Sequence, residues 1–448
     1  MLEIPQLIVI ALLVLGFGVV SRTFMRGVIT APMVFLGAGL LLAHGVGWLG
    51  LSPLGEDGGL RSLVHTLGEA TLIVLLFIDA ARIDIGGLRR EGALPARLLG
   101  IGMPLTIVFG ALVAWPLFPG FGMWELALVG AVLAPTDAAL GQAVVTSDEV
   151  PARIRQTLSV ESGLNDGIAV PMVVLFASMA SIGQVMEGAE SSSMTAGACI
   201  AFAAKQVTLG PLAGIFIGVL GAKIVSLSIR RGWMNREFQE LSGIALAILA
   251  AMGAELIGGN AFIAAFVGGL AFGNASTAMS ESLYDFAEAE GTLLMLLTFL
   301  FAGAALLPDA LHAATGETVV YAALSLTIIR MLPVGLCLIG VPASPETKGF
   351  LGWFGPRGIA SVLFAILLIE ELPVPHSDEI FVVTMVTVTL SVVLHGATAA
   401  PGARWYARQL EKNTCPTAAK EPGMCYRTRA GSRARTDRGR DPQQELHR

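Results

Sequence analysis

Apolar runs close to twenty residues long recur through the chain with short polar breaks between them. They fall at about 4–20, 28–49, 63–81, 94–117, 122–145, 154–182, 196–229, 238–257, 259–274, 290–308, 315–341, 350–371 and 378–400. About 20 residues is what a helix needs to cross roughly 30 Å of hydrocarbon. Lipid offers the backbone no hydrogen-bond partner, so each run must be a helix or part of a closed barrel. The runs lack the period-two alternation of a barrel strand and are rich in Leu, Ala and Gly. The pattern predicts an all-α polytopic membrane protein of thirteen helices.

An odd number of crossings puts the two termini on opposite sides. Counted from the N-terminus, the odd breaks hold Arg22 and Arg26; Arg82, Arg89, Arg90 and Arg97; Arg153 and Arg155; Arg230, Arg231 and Arg236; then Lys348. The even breaks hold Arg61 and otherwise acids or nothing. Lys and Arg mark cytoplasmic loops, so the N-terminus is expected outside and the C-terminus in the cytoplasm of a prokaryotic inner membrane. The acidic break near 275–289 departs from this pattern. No basic stretch precedes the first run and the second follows at once, which reads as a first membrane helix rather than a cleaved signal.

Composition agrees with the hydropathy. The 448 residues are 54% hydrophobic and 14% charged, with a mean hydropathy of +0.73. The net charge of -6 hides an asymmetry, because from Pro401 onward 11 Lys/Arg face 5 Asp/Glu. We therefore divide the chain into a membrane domain, 1–400, and a basic tail, 401–448. After about Trp405 the tail has no apolar periodicity and reads as disordered. Its charge suits anionic headgroups, although a solvated tail is the simpler reading. Cys199, Cys337, Cys415 and Cys425 show no metal spacing, and those in apolar runs read as buried thiols. None of the six histidines forms a paired motif within the membrane. No enzyme chemistry, cofactor or nucleic-acid partner is expected; the partners are the bilayer and small ions.

Ionisable residues inside membrane spans are costly and mark ion or proton pathways. The sixth run carries VESGLNDGIAV, with Glu161, Ser162, Asn165 and Asp166 within about 140° of one helix face. That face must look into a cavity or another helix, for ion binding or as polar glue between helices. The fifth run carries APTDAALG. Pro135 removes a backbone donor and clashes one turn back, freeing the carbonyl near Ala131. A helix broken at this depth offers carbonyls and helix ends to an ion. Thr136 and Asp137 at the break add hard oxygens suited to a small monovalent cation.

The twelfth run is interrupted in the same manner by Gly352, Gly355, Pro356 and Gly358, with Arg357 in the gap. Interrupted runs at matching places in two halves point to a transporter built from two six-helix inverted repeats around a connector. Arg330, deep in the eleventh run, needs a buried carboxylate, and Glu161 is the best candidate. Asp79 closes the third run, as part of an access funnel or as a marker of the membrane edge. Glu69 and Glu255 also fall within spans, without an assignable role.

These stretches resemble the cation/proton antiporter superfamily, in the branch of prokaryotic NhaP and animal NHE exchangers. The carriers are LLFIDAARID around Asp79, APTDAALG (134–141), ESGLNDGIAV (161–170), TIIRMLP (327–333) and GPRGIAS (355–361). The resemblance covers residues 1 to about 400. It implies a homodimer, a core domain moving against a dimerisation domain, and exchange of Na⁺ or Li⁺ against H⁺. It implies that Asp166 binds both ion and proton and that Thr136, Asp137, Ser162 and Asn165 surround it, with Na⁺ at Asp166, Asp137 and Ser162. It implies a stabilising pair, Glu161 with Arg330, and places Arg357, Pro135 and Pro356 at the crossover of the broken helices. Electrogenic relatives usually carry a second aspartate where Asn165 stands, so the amide implies electroneutral exchange. Asp79-Ala80-Ala81 departs from the glycine that many relatives have after the acid, which leaves the funnel's ion preference open.

The residues give the same mechanism on their own. A proton and a monovalent cation compete for the Asp166 carboxylate, and the loaded site has the same charge with either. If the empty charged site cannot cross, one-for-one exchange by alternating access follows. K⁺/H⁺ exchange remains open, as does sodium-coupled symport of an organic anion in a similar architecture. A channel would want an open lumen ringed with charge, whereas here the acids converge on one layer.

Overall fold

The computed structural model describes residues 4–24, 27–43, 59–83, 85–86, 93–188, 196–276, 281–370 and 374–413. All regular structure among them is helical. The main helices are α1 (Ile4–Phe24), α2 (Ala31–Ala43), α3 (Gly59–Ala81), α4 (Ala93–Leu117), α5 (Met123–Val132), α6 (Ala152–Gly188) and α7 (Ala196–Arg230). There follow α8 (Arg236–Leu256), α9 (Ala261–Ala275), α10 (Glu281–Ala305), α11 (Gly316–Cys337), α12 (Pro345–Trp353), α13 (Ile359–Glu370) and α14 (Ser377–Asn413). A short stub, Ala138–Val145, follows the gap after α5. Among the described residues six helices are long and apolar enough to cross a membrane, or seven if the bent pair Gly291–Ala305 and Leu307–Ala313 is one span. Others, α5 and α13 among them, are apolar but shorter.

Local sequence sets the helix ends. Asn260 accepts the Ile263 N–H at 3.0 Å and opens α9; Ser344 accepts the Thr347 N–H at 3.2 Å and opens α12. Such caps supply acceptors that the first turn of a helix lacks. Prolines inside spans are tolerated where the rest of the turn holds: α6 runs through Pro171 and α7 through Pro211. At Pro135 and Pro356 the chain leaves the helix altogether.

The helices pack in two groups. In one, α9 lies between α3 and α7, and α2 runs along α10. Small residues let these backbones meet, as expected where lipid gives helices no hydrophobic drive to associate. A Cβ on Gly269 would run into the Phe77 carbonyl of α3, and one on Gly218 into the Gly268 carbonyl of α9. The second group is α4, α5 and α6 with α11 and α12. Contact between the groups runs mainly through α6 and α13, which touch α3. The polar residues of the sixth run therefore lie at a seam.

One boundary differs from the sequence expectation. The last helix does not stop at 400: it continues through Pro401 to Asn413, past Trp405. Gly402 lies inside this helix where a Cβ would come 2.5 Å from the Phe354 ring. Glu255 lies within a span as expected, exposed near the C-terminal end of α8. The compact unit Met1–Ala407 is followed by a second unit from Arg408. The tail beyond Asn413, with Cys415 and Cys425, lies outside the described residues, as do Arg26, Arg89 and Arg90.

Candidate functional site

Two unwound segments face each other in the second group: Leu133–Asp137 after α5 and Phe354–Gly358 between α12 and α13. Unwinding strips backbone groups of their helical partners, and an unpaired buried carbonyl or N–H costs of order 1–3 kcal/mol. Here the segments satisfy one another. Asp137 N–H donates to the Pro356 carbonyl at 2.8 Å. Arg357 Nη1 donates to the carbonyls of Ala134 (2.6 Å) and Pro135 (3.1 Å). Ser361 Oγ donates to the Val132 carbonyl at 2.7 Å, and the Ile359 N–H reaches Asp137 Oδ2 at 3.3 Å. Gly358 must be glycine, because a Cβ there would overlap the Asp137 carboxylate.

The expected free carbonyl near Ala131 is not found. The helix ends at Val132, and the Ala131 carbonyl accepts the Ala134 N–H at 3.3 Å. The carbonyls that do leave the helix are captured by Arg357, Ser361 and Ser162. Side chains from distant elements thus do what a bound ion had been expected to do.

The third side of the site is α6. Ser162 Oγ donates to the Thr136 carbonyl at 2.7 Å, and Asn165 Nδ2 donates to Thr136 Oγ1 at 2.6 Å. The Asn165 amide is thereby turned so that its Oδ1 is buried without a hydrogen-bond partner. The neighbouring Asp166 Oδ1 is likewise buried and unpartnered. Asp137 and Asp79 are the carboxylates that act electrostatically on Asp166. Asp79 packs on α6 at Gly163, where an added Cβ would lie 3.8 Å from the Asp79 Cβ. A small cavity is lined by Thr136, Asp137 and Ser162, with Val144, Leu158 and Phe354 on its apolar side. Asp166 does not line it.

Glu161 and Arg330, both about 2% exposed, form an ion pair at 2.6 Å (Arg330 Nη2 to Glu161 Oε1). The guanidinium lies against Gly355, where a Cβ would come 2.5 Å from Nε. Arg357 is fully buried. Both arginines are thus committed, one to Glu161 and one to carbonyls, and among the described residues no cationic side chain pairs with Asp166. The acids do not form a closed cage either: among the described residues no three Asp, Glu, His or Cys side chains group tightly enough to hold a metal ion. Any cation here needs oxygens of Thr, Ser, Asn or the backbone as well.

The structure thus brings together Thr136, Asp137, Ser162, Asn165 and Asp166, with Pro135, Pro356 and Arg357 at the crossing. Sequence reasoning missed Ser361 as a partner, although it closes the GPRGIAS stretch. It also missed Ser391, whose Oγ accepts the Arg357 N–H at 2.7 Å.

Crossing broken helices beside a buried carboxylate define a polytopic α-helical secondary transporter of antiporter fold. A sequence profile of the family described as sodium/hydrogen exchanger, transmembrane, matches residues 8–405, and the chain belongs to that family. Among named relatives, the K(+)/H(+) antiporter NhaP of Alkalimonas amylolytica is 26% identical over 93% of this chain and 69% of its own length. The Na(+)/H(+) antiporter 2 of Zygosaccharomyces rouxii is 27% identical over 65% of this chain, which spans only 39% of that protein. The K(+)/H(+) antiporter NhaP2 of Shewanella sp. strain MR-4 is 28% identical over 86% of this chain and 64% of its own length. The solved sodium proton antiporter MjNhaP1 of Methanocaldococcus jannaschii has the same fold, with a TM-score of 0.68 and 21% identity. That match covers 89% of this chain and 96% of the solved one.

The buried pair gives a test. Glu161→Gln leaves the Arg330 charge buried without its counter-ion, which costs about 3–5 kcal/mol. Thermal unfolding of the purified protein in detergent should show a marked drop in midpoint, against almost none for the exposed Glu255→Gln. Equal midpoints for the two variants would contradict this account of the pair.

Proposed function

We propose that this sodium/hydrogen exchanger moves Na⁺ or Li⁺ one for one against H⁺, by alternating access at Asp166. The observation that carries the reading is the pair of buried, unpartnered oxygens, Asp166 Oδ1 and Asn165 Oδ1, beside Asp137 and Asp79 and without a cationic side-chain partner for Asp166 among the described residues. A partly desolvated carboxylate favours a positive partner, and the two small candidates are a proton and an alkali cation. Thr136, Asp137 and Ser162 supply hard oxygens around it. Glu161 and Arg330 act as the structural pair that takes one guanidinium out of the ion's field. Arg357, with Pro135 and Pro356, holds the crossover.

Exchange stoichiometry follows from charge. Asn165 adds none, so the loaded site is equally charged with H⁺ or a monovalent cation, and the cycle moves no net charge. Asp79 is read as part of the access funnel. The broken helices are read as equivalent members of two inverted repeats in a thirteen-helix chain, within a homodimer whose C-terminus is cytoplasmic in a prokaryotic inner membrane. Such a carrier serves sodium and pH homeostasis. K⁺ as the exchanged cation is the second reading, favoured by the names of the Alkalimonas and Shewanella relatives.

Two measurements test the proposal. Dye dequenching in everted vesicles, with each alkali chloride added in turn, should report exchange for the wild type and none for Asp166→Asn at equal protein level. Undiminished exchange in that variant would refute the role of Asp166. On a solid-supported membrane, a saturating cation jump should produce turnover without steady charge accumulation, and a sustained transport current would rule out one-for-one exchange.

A further inference from the structure

The last helix carries a polar stripe to which ion exchange assigns no task. In SVVLHGAT (391–398), Ser391, His395 and Thr398 recur at one-turn spacing within an apolar span. All three address the second broken helix. Ser391 Oγ takes the Arg357 N–H at 2.7 Å. His395 Nε2 stands 2.9 Å from the Trp353 carbonyl, one of the last in α12. Trp353 Nε1–H donates to Thr398 Oγ1 at 3.0 Å, and the indole stacks on the imidazole with centroids 5.0 Å apart. His395 is 1% exposed.

Donor and acceptor rules place one hydrogen on the imidazole. A carbonyl only accepts, so the hydrogen facing Trp353 sits on Nε2. Nδ1 faces Ser391 twice, its Oγ at 3.2 Å and its backbone carbonyl at 3.1 Å, while the same Oγ accepts the Arg357 N–H. The ring thus ties the Trp353 carbonyl to Ser391, next to the guanidiniums of Arg357 and Arg330 that act on it. The segment so held is not a remote loop. Its Pro356 carbonyl takes the Asp137 N–H, its Gly358 lies against the Asp137 carboxylate, and Ile359 N–H meets Asp137 Oδ2.

We propose that His395 is a positioning residue of the cation site: through Trp353 on one side and Ser391 on the other it splints the unwound crossover, and the crossover in turn fixes the Asp137 carboxylate. The inference rests on the exchange function proposed above. It makes His395 a determinant of cation affinity, although it touches neither Asp137 nor the ion.

The test uses the full chain in everted vesicles or proteoliposomes, with cation-dependent proton flux measured across Na⁺, Li⁺ and K⁺ concentrations and across pH. His395→Leu removes both hydrogen bonds and should raise the apparent KM for the transported cation about tenfold, which corresponds to about 1.4 kcal/mol. Maximal rate should change less than KM. His395→Gln retains an N–H for the Trp353 carbonyl and should bring KM back toward the wild-type value. Ser391→Ala, the mildest variant, should raise KM by a smaller factor, and it keeps the test open if His395→Leu does not accumulate. None of the three should move the pH profile of maximal rate, because a positioning residue passes no proton to or from Asp166. Unchanged KM in both His395→Leu and Ser391→Ala overturns the proposal, as does a shifted pH profile in His395→Gln. A wild type that exchanges none of the three cations overturns the exchange function itself and this inference with it.

Discussion

The architecture depends on the way two broken helices satisfy each other. Each break exposes backbone polar groups in a region where water cannot serve them, and neither would persist alone. Arg357 reaches out of one break to take the carbonyls of Ala134 and Pro135 in the other. The Asp137 N–H returns the contact to the Pro356 carbonyl. Because each segment caps its opposite number, through Arg357 and Ser361 as well as through backbone, the acids and hydroxyls at the crossing are held in place.

Charge placement follows from that frame. Two guanidiniums are buried here, and a free one would repel any cation from the site. One is neutralised by Glu161, the other is spent on carbonyl dipoles. What remains accessible to a cation is negative: Asp166, with Asp137 and Asp79 near it. The Asn165 amide, turned by its bond to Thr136, adds an oxygen and no charge. On the proposed function, binding and proton chemistry are concentrated on one carboxylate at the seam between two helix groups, where relative movement of the groups would change which side it faces.

Much of this was legible in the sequence, for identifiable reasons. Apolar runs announce membrane helices because lipid permits so few alternatives. An arginine deep in the eleventh run needed an acid, and few were buried, so Glu161 could be named before any coordinates. Proline alone was a weaker guide. Pro171 and Pro211 lie inside continuous helices, whereas Pro135 and Pro356 do not. The difference lies in partners from far along the chain, such as Arg357 for Ala134, 223 residues apart. No local pattern carries that, which is why the carbonyl near Ala131 was wrongly expected to be free. His395 escaped notice for a related reason: a lone histidine has no motif, and its partners are a serine one turn away and a backbone carbonyl. The end of α14 was placed too early because apolar periodicity and composition mark where a span ends, not where its helix does, and the helix runs on to Asn413.

The claim beneath all of this is that a proton and an alkali cation occupy the same carboxylate in turn. Adding Na⁺, Li⁺ or K⁺ to the purified protein in weakly buffered detergent solution, with a pH indicator present, reads that competition without any transport. The account predicts release of close to one proton per cation bound, at a pH where the site is protonated beforehand. Saturable cation binding with no proton released would contradict it.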